Sequence, residues 1–455
     1  MVGFNKNMVT NTNKKTKSSI KTILRKVVSS SKPDKKVVKK KVLSDIKSDK
    51  IKKVLVKKNT VKKPIVKNKK IIKNKLILKK KKFVSAKNKK KVASKNHEEY
   101  ELKLNKSGKN PILSPGLYSW ESQAVFNPAA LHTGGLFHLF YRAVGDDGIS
   151  RIGYASSKDG VNFDDRLTYP VYVAQNIAEA KKHWPFTSPA RLVYDRELYP
   201  SGGSWGGCED PRAVVIDGVV YVTLNIFNGW SSLRVGVISI KEEDLLKRKW
   251  KWSQLSYITR LGDRQKNWVL FPEKFNGKFG IFHNLDLGDP TRVGVSFVSN
   301  LDSSESPQGS DPGSEAPDPQ RLPDNIVAWH KHTRSASCPP IKTKDGWLLL
   351  YHAMDKDGNN LYKLGAMLLD LKDPRKVLYR AKSPILEPGE WYENDWKPGI
   401  IYASGAVVKN GELFVYYGGG DKHIAVAYIR LETLLNGLKN NKEIKLKDKI
   451  KINTQ

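Results

Sequence analysis

The 455-residue chain has only two cysteines, Cys208 and Cys338. That is too few for a disulfide framework, so the expectation is two reduced thiols in a reducing compartment. No apolar run near the start is long enough for a secretory signal, and nothing approaches the roughly 20 apolar residues of a spanning helix. These absences point to a soluble, cytoplasmic protein that does not cross a membrane. Acids and aromatics are nearly missing from residues 1–97, where three acids stand against 35 lysines and arginines, a net +32 out of +36 for the chain. Stretches such as "KKVVKKKVL" interrupt every short apolar run with lysine and cannot bury enough surface to offset their ordering entropy. Residues 1–97 therefore read as a basic extension that is disordered, or helical only against a partner. It either holds a polyanion, nucleic acid or an anionic surface, through salt-sensitive contacts, or serves as a solubilising tail. Aromatic and arginine interleaving of the kind that base recognition favours is lacking. Helical patterns are scarce as well, with "KEEDLLKRKW" (241–250) and "LETLLNGL" (431–438) the persuasive candidates.

What is present begins with residues 98–455, which are nearly neutral at net +4. A turn ending in Gly, followed by an alternating apolar strand, recurs five times: "TGGLFHLFYRA" (133–143), "DGVVYVTLNIF" (217–227), "NGKFGIFHN" (276–284), "DGWLLLYHAMD" (345–355) and "NGELFVYYGGGD" (410–421). Each is followed by a second strand, from "SRIGYASS" to "HIAVAYIRL". Asp-Gly and Asn-Gly supply the positive φ of a tight hairpin, and β-branched and aromatic alternation suits half-buried strands. Five such units, with strands expected to begin after about residue 110, predict an all-β, five-bladed β-propeller. The acidic, Pro/Gly/Ser-rich stretch 301–324 reads as a mobile loop. Propeller sites form where inner strands converge, which directs attention to Arg142 with Asp146 and Asp147, Asn225, His283 with Asn284, His352 and Asp421.

One short stretch, "GGCEDPRAVVIDGVVYV" (206–222), crowds Glu209, Asp210 and Arg212 beside glycines. Either it is a hydrogen-bonded turn with a local salt bridge, or it aims a catalytic acid. "GCEDPR", "KNWVLFPEKFNGKFGIFHN" (266–284), "CPPIKTKDGWLLLYHAMD" (338–355), "YKLGAMLLDLKDPRKVLYR" (362–380) and "VYYGGGD" (415–421) together resemble glycoside hydrolase family 130, the β-mannoside phosphorylases and related β-mannosidases. The likeness runs in order from about Trp120 to Leu435 and leaves out the basic extension.

The resemblance implies a five-bladed propeller in which Asp210 donates a proton to the glycosidic oxygen. Glu209 next to it opposes a second negative charge, and Arg212 favours one. A phosphorylase uses inorganic phosphate as its nucleophile, so an oxyanion pocket replaces the second carboxylate of an ordinary glycosidase. The residues matching the family's phosphate set are Lys266, Asn267, His352 and Asp421. Lys266 stands where Arg is usual, which keeps the charge but loses the bidentate fork, and Asn284 stands where a basic residue is common. Asn127, Arg142, Ser150 and Arg151 match the region that holds the mannosyl unit, and Glu209, Arg212 and His283 complete the sugar-binding set.

The implied function is inverting phosphorolysis of β-mannosides to α-mannose 1-phosphate. The alternatives are hydrolysis by a β-mannosidase of the same family and a catalytically silent glycan-binding propeller. Glu273 in "FPEK" offers a second carboxylate for the hydrolytic reading. Trp205, Trp230, Trp268, Trp391 and Trp396 are available either to stack on an acceptor sugar or to pack between blades. His330 and His332 form a His-x-His pair without partners at ligand spacing, so neither a metal nor an organic cofactor is expected.

Overall fold

The computed structural model describes residues 102–174, 201–284, 293–306, 320–321, 329–355 and 361–440. The basic extension, expected to be disordered, lies outside them. The described residues form mostly β-strands, and all five expected hairpins are there: Leu136–Val144 with Ile149–Ser157, Val219–Phe227 with Arg234–Lys241, Lys278–Asn284 with Val293–Val298, Gly346–Asp355 with Tyr362–Leu369, and Glu412–Gly419 with His423–Arg430. A further strand precedes each of them, namely Ala124–Thr133, Gly206–Ile216, Val269–Phe275, His330–Ala336 and Ile401–Lys409. The turns joining first to second strands follow from their residues. Asp217 and Gly218 (φ 52° and 74°), Asn276 and Gly277 (50° and 80°) and Asn410 and Gly411 (52° and 76°) are left-handed at both positions, matching the right-handed twist of the flanking strands.

Short outer strands complete the meanders: Asp165–Arg166, Ser256–Tyr257, Gln320–Arg321 and Val377–Arg380 in the first four. Gln320 and Arg321 pair with Val295 and Gly294, so part of the stretch expected to be a loop is an edge strand. Residues 307–319 and 322–324 of that stretch lie outside the described residues. The fifth meander takes its outer strand from the other end of the chain, with Asn105 pairing Tyr428 and Lys106 pairing Ala427. This corrects the expectation that strands begin after about residue 110.

The first two meanders join through a parallel pairing of Ile149 with Gly206 and Ser150 with Gly207. A Cβ on Gly207 would lie 2.1 Å from the Ser150 carbonyl oxygen, at a φ of 108°, so only glycine allows this approach.

Strand alternation divides the apolar residues among five main cores, each between consecutive meanders. Ala213 faces Phe140 and Tyr154 of the first meander, while its neighbour Val214 joins Trp268 and Leu270 of the third. Phe271 and Phe282 meet Trp347 and Tyr351, and Leu348 and Leu350 meet Val415 and Tyr417. Tyr416 and Val426 of the last meander pack on Phe137 and Leu139 of the first, so the series of cores returns to its start. Burial of this kind contributes roughly 25 cal/mol per Å2 of apolar surface.

Helices form at Glu242–Leu246, inside the first expected segment, and at Leu431–Asn440, which covers the second and runs two residues past it. Among the described residues no helix is long and apolar enough to cross a membrane.

Candidate active site

The first strand of every meander is irregular, and two of the irregularities are alike. Pairing of Ala124–Thr133 with its neighbour slips between Phe126 and Ala129, and that of Gly206–Ile216 slips between Glu209 and Arg212. Each slip carries an X-Pro step, Asn127-Pro128 and Asp210-Pro211, with φ 48° at both Asn127 and Asp210. Proline donates no ladder hydrogen bond and so fits a strand at a bulge, and a bulge re-aims the side chain it carries. Asn127 Nδ2 thereby donates to Asp210 Oδ1 at 2.8 Å, and Asn225 Nδ2 donates to the other carboxylate oxygen at 3.3 Å.

The two adjacent acids take different surroundings. Glu209 is fully buried and accepts from Ser201 Oγ at 2.7 Å, Ser204 Oγ at 2.9 Å and Arg142 Nη2 at 3.0 Å. Asp210 lines a cleft of about 460 Å3. Arg142 bridges the pair, since its Nη1 donates to Asp210 Oδ1 at 3.2 Å and its Nε to Ser150 Oγ at 2.9 Å.

Arg212 does not hydrogen-bond the Asp210 carboxylate. It donates to the Asp210 backbone carbonyl at 2.8 Å, to the Ser337 carbonyl at 3.0 Å and to the Tyr402 hydroxyl at 2.9 Å. Tyr402 in turn stacks on His352, with centroids 4.1 Å apart and planes 18° apart.

Burial pushes the Asp210 carboxyl up, but the Arg142 and Arg212 guanidiniums, the Asn127 amide and Lys266 outweigh it and hold it below the usual carboxylate range. Burial dominates at Glu209 and, with the adjacent Asp210 charge, raises it against the pull of Arg142. Burial lowers His352 to about 3, Arg212 adding to the effect, and lowers His283 to about 4, so both imidazoles are neutral at pH 7.

Of the residues expected from sequence, Asn127, Arg142, Asp210, Lys266, Asn267, Asn284 and Asp421 line the cleft together, and so does Trp230 of the stacking candidates. The others lie around it. Ser150 holds Arg142 from behind, and Arg151 pairs with Asp147 at 2.6 Å. His283 bonds Ser296 Oγ at 2.9 Å and tilts against Trp268. His352 is buried behind Tyr402 and bonds Ser335 Oγ at 3.1 Å. Glu273 is engaged by Lys342 at 2.6 Å and is not part of the cleft wall. Both cysteines are buried free thiols, each pushed by burial to about 12. His330 bonds the Tyr351 hydroxyl at 3.0 Å.

Arg264, Arg334, Lys397, Tyr362 and Tyr402 also line the cleft, and none was singled out as a site residue, although Tyr362 opens the stretch "YKLGAMLLDLKDPRKVLYR". They come from connections and strand ends of different meanders, where a lone Arg or Tyr in the sequence looks like any surface residue. With Lys266, they make the wall strongly cationic. Among the described residues its carboxylates are Asp210 and Asp421, and Asp421 is paired with Lys397 at 3.0 Å. The buried acceptors Asn127 Oδ1 and Asn284 Oδ1 have no hydrogen-bond partner among the described residues. Such a wall suits a polyhydroxylated ligand that donates to the amides, together with an anion.

The family profile for glycoside hydrolase family 130, described as β-1,4-mannooligosaccharide phosphorylase, matches residues 200–440. A 1,2-β-oligomannan phosphorylase of Thermoanaerobacter sp. (strain X514) is 34% identical over 343 residues, 73% of this chain and 99% of the relative. A β-1,2-mannobiose phosphorylase of the same organism is also 34% identical, over 73% of this chain and 98% of its own length. The solved structure of a β-1,2-mannobiose phosphorylase from Listeria innocua, in complex with β-1,2-mannobiose, superposes with a TM-score of 0.55 at 21% identity. That match covers 74% of this chain and 99% of the other, and at such identity the likeness is one of fold.

Proposed function

We propose, since the chain belongs to glycoside hydrolase family 130, that it cleaves β-mannosides by inverting phosphorolysis, with Asp210 as the proton donor. The observation that carries this reading is the cleft wall itself: one carboxylate held by Asn127 and Arg142, facing Arg264, Lys266 and Arg334. A hydrolase needs a second carboxylate to activate water. Here Asp421 is tied to Lys397, and Glu273 is bound by Lys342 outside the cleft.

In the proposed reaction a phosphate oxygen attacks C1 from the face opposite the leaving group while the C1–O bond breaks. The leaving oxygen takes the Asp210 proton. Hydrogen phosphate gives up one proton as it becomes the ester, so the cycle closes with Asp210 reprotonated and no net proton released. The products are α-mannose 1-phosphate and a glycan shortened by one mannose. Lys266 and Asn267 are assigned to phosphate with Asp421, and His352 supports this side from behind Tyr402. Asn127 and Arg142 are assigned to the mannosyl hydroxyls, and Ser150, Glu209 and Arg212 hold those groups in place.

The lowered pKa of Asp210 in the empty site gives phosphate a second task. A dianion beside Lys266 cancels part of the positive potential that keeps Asp210 ionised, so co-substrate binding raises its proton affinity.

The body of residues 98–455 is assigned as a five-bladed β-propeller, supported by five inter-sheet cores that return to their start. The names of the relatives favour β-1,2-linked mannosides as substrate, and the free thiols suit the cytoplasm. The extension of residues 1–97 is assigned to a polyanion on charge alone.

The deciding experiment incubates the protein with β-1,2-mannobiose with and without phosphate. Phosphate-dependent α-mannose 1-phosphate supports the reading, and free mannose formed equally without phosphate replaces it with hydrolysis.

A further inference from the structure

Trp230 is the cleft aromatic that the proposed chemistry leaves unused. It lies on the short turn Trp230–Ser232 after strand Val219–Phe227, entered through Gly229 at φ 93°. Phe227 meets it edge-on at 5.3 Å, and Ser232 N and Oγ both bond the Gly229 carbonyl at 3.1 Å, which fixes the turn. Of the aromatics in the cleft wall, Phe126 is buried and Tyr362 and Tyr402 are half-buried, whereas Trp230 keeps 47% of its surface open. Lys266 Nζ lies 5.8 Å from its ring centroid. The other candidates for stacking are placed differently: Trp268 and Trp396 are packed inside, and the exposed Trp391 does not line the cleft.

The cleft is graded in burial. Asn127, Arg142 and Asp210, the groups assigned to the reacting mannose, are 2–6% exposed and form the floor, and Trp230 stands at the mouth. A disaccharide cleaved at the floor directs its leaving sugar outward, toward the mouth. Sugar rings present one apolar face of C–H groups, which matches an exposed indole fixed in position, and the large rigid ring loses little entropy on binding.

We infer that Trp230 is the platform on which the leaving sugar stacks, and hence a specificity-determining residue for the acceptor in the reverse, synthetic reaction. This rests on the phosphorolytic reading for its kinetics but not for its binding test.

The test compares wild type with Trp230→Ala, Trp230→Phe and Trp391→Ala. In the synthetic direction, Trp230→Ala should raise the KM for acceptor mannose on the order of tenfold, as expected for one lost stacking face. The KM for α-mannose 1-phosphate should change less than about twofold. Trp230→Phe should restore most of the loss, and Trp391→Ala should behave as wild type.

An unchanged acceptor KM in Trp230→Ala, or an equal rise for both substrates, overturns the inference while leaving phosphorolysis standing. In parallel, calorimetry measures β-1,2-mannobiose binding to each protein without phosphate. Should the wild type turn over no mannoside, the functional reading fails, and this arm still decides the platform. Binding lost only in Trp230→Ala upholds it, and equal binding, or none by any of the proteins, removes it.

Discussion

Asn127 and Asp210 lie 83 residues apart and occupy the same position in neighbouring meanders: a bulge before proline, at φ 48°, with their side chains joined by a 2.8 Å hydrogen bond. The bond holds the carboxylate and favours its charged form. Asn127→Asp should set a second carboxylate against Asp210 and raise the proton affinity of the pair, because like charges disfavour double ionisation. The alkaline limb of the pH–rate profile then moves to higher pH, whereas Asn127→Ala lowers kcat about 10- to 100-fold with a smaller shift. Profiles measured at saturating phosphate check both.

Asp210→Asn keeps the shape of the side chain and loses its proton. Turnover of β-1,2-mannobiose should fall roughly 10^2- to 10^4-fold. Phosphate binding, followed by thermal shift, should persist or strengthen, since a negative charge leaves the cationic wall. Unchanged turnover would remove Asp210 from the mechanism.

Phosphate should also move the Asp210 titration. In the free protein the carboxyl titrates below the ordinary carboxylate range; with saturating phosphate it should rise, because the anion offsets Lys266. Carboxyl 13C chemical shifts against pH, with and without phosphate, read this directly. A titration that phosphate leaves unmoved would separate the co-substrate from proton loading.

His283 and His352 make the fold sensitive to acid. Burial depresses both below an unfolded value near 6.5, to about 4 and about 3. The unfolded chain therefore binds protons first, and stability is fully present above about pH 6.5 and lost as pH falls toward the folded values. Each histidine accounts for at most about 1.4 kcal/mol per pH unit in that window. Denaturant melts between pH 7 and 5 should show a falling midpoint, with a shallower slope in His283→Gln.

Two truncations separate the extension from the body. Removing residues 1–97 should leave cooperative unfolding and turnover intact and abolish salt-sensitive heparin binding, since net +32 of the chain's +36 departs. Removing residues 1–107 also deletes the strand Asn105–Lys106 and the 2.7 Å ion pair between Lys106 and the buried Glu393. That should cost about 3 kcal/mol or more, because the carboxylate remains buried without its cation. Chemical denaturation of both proteins measures the difference.

The local pattern alone determined most of the architecture. Asp-Gly and Asn-Gly pairs can take two successive positive φ values, and alternating apolar residues must be buried on both faces of a sheet lodged between two others, so five hairpins and their turns were legible. The sequence also picked out seven polar residues that meet in one cleft. What sequence left open was decided by contacts between distant segments. Which of the adjacent acids faces the cleft depends on the bulge at Asp210 and on Ser201, Ser204 and Arg142 drawing Glu209 inward. That Arg212 holds a backbone carbonyl and Tyr402, that Arg264 and Arg334 join Lys266, and that residues 105–106 complete the last sheet follow from closing the meanders on one another. Hydrogen bonds and ion pairs depend on distance in space, and only the packed cores bring residues from separate repeats within reach.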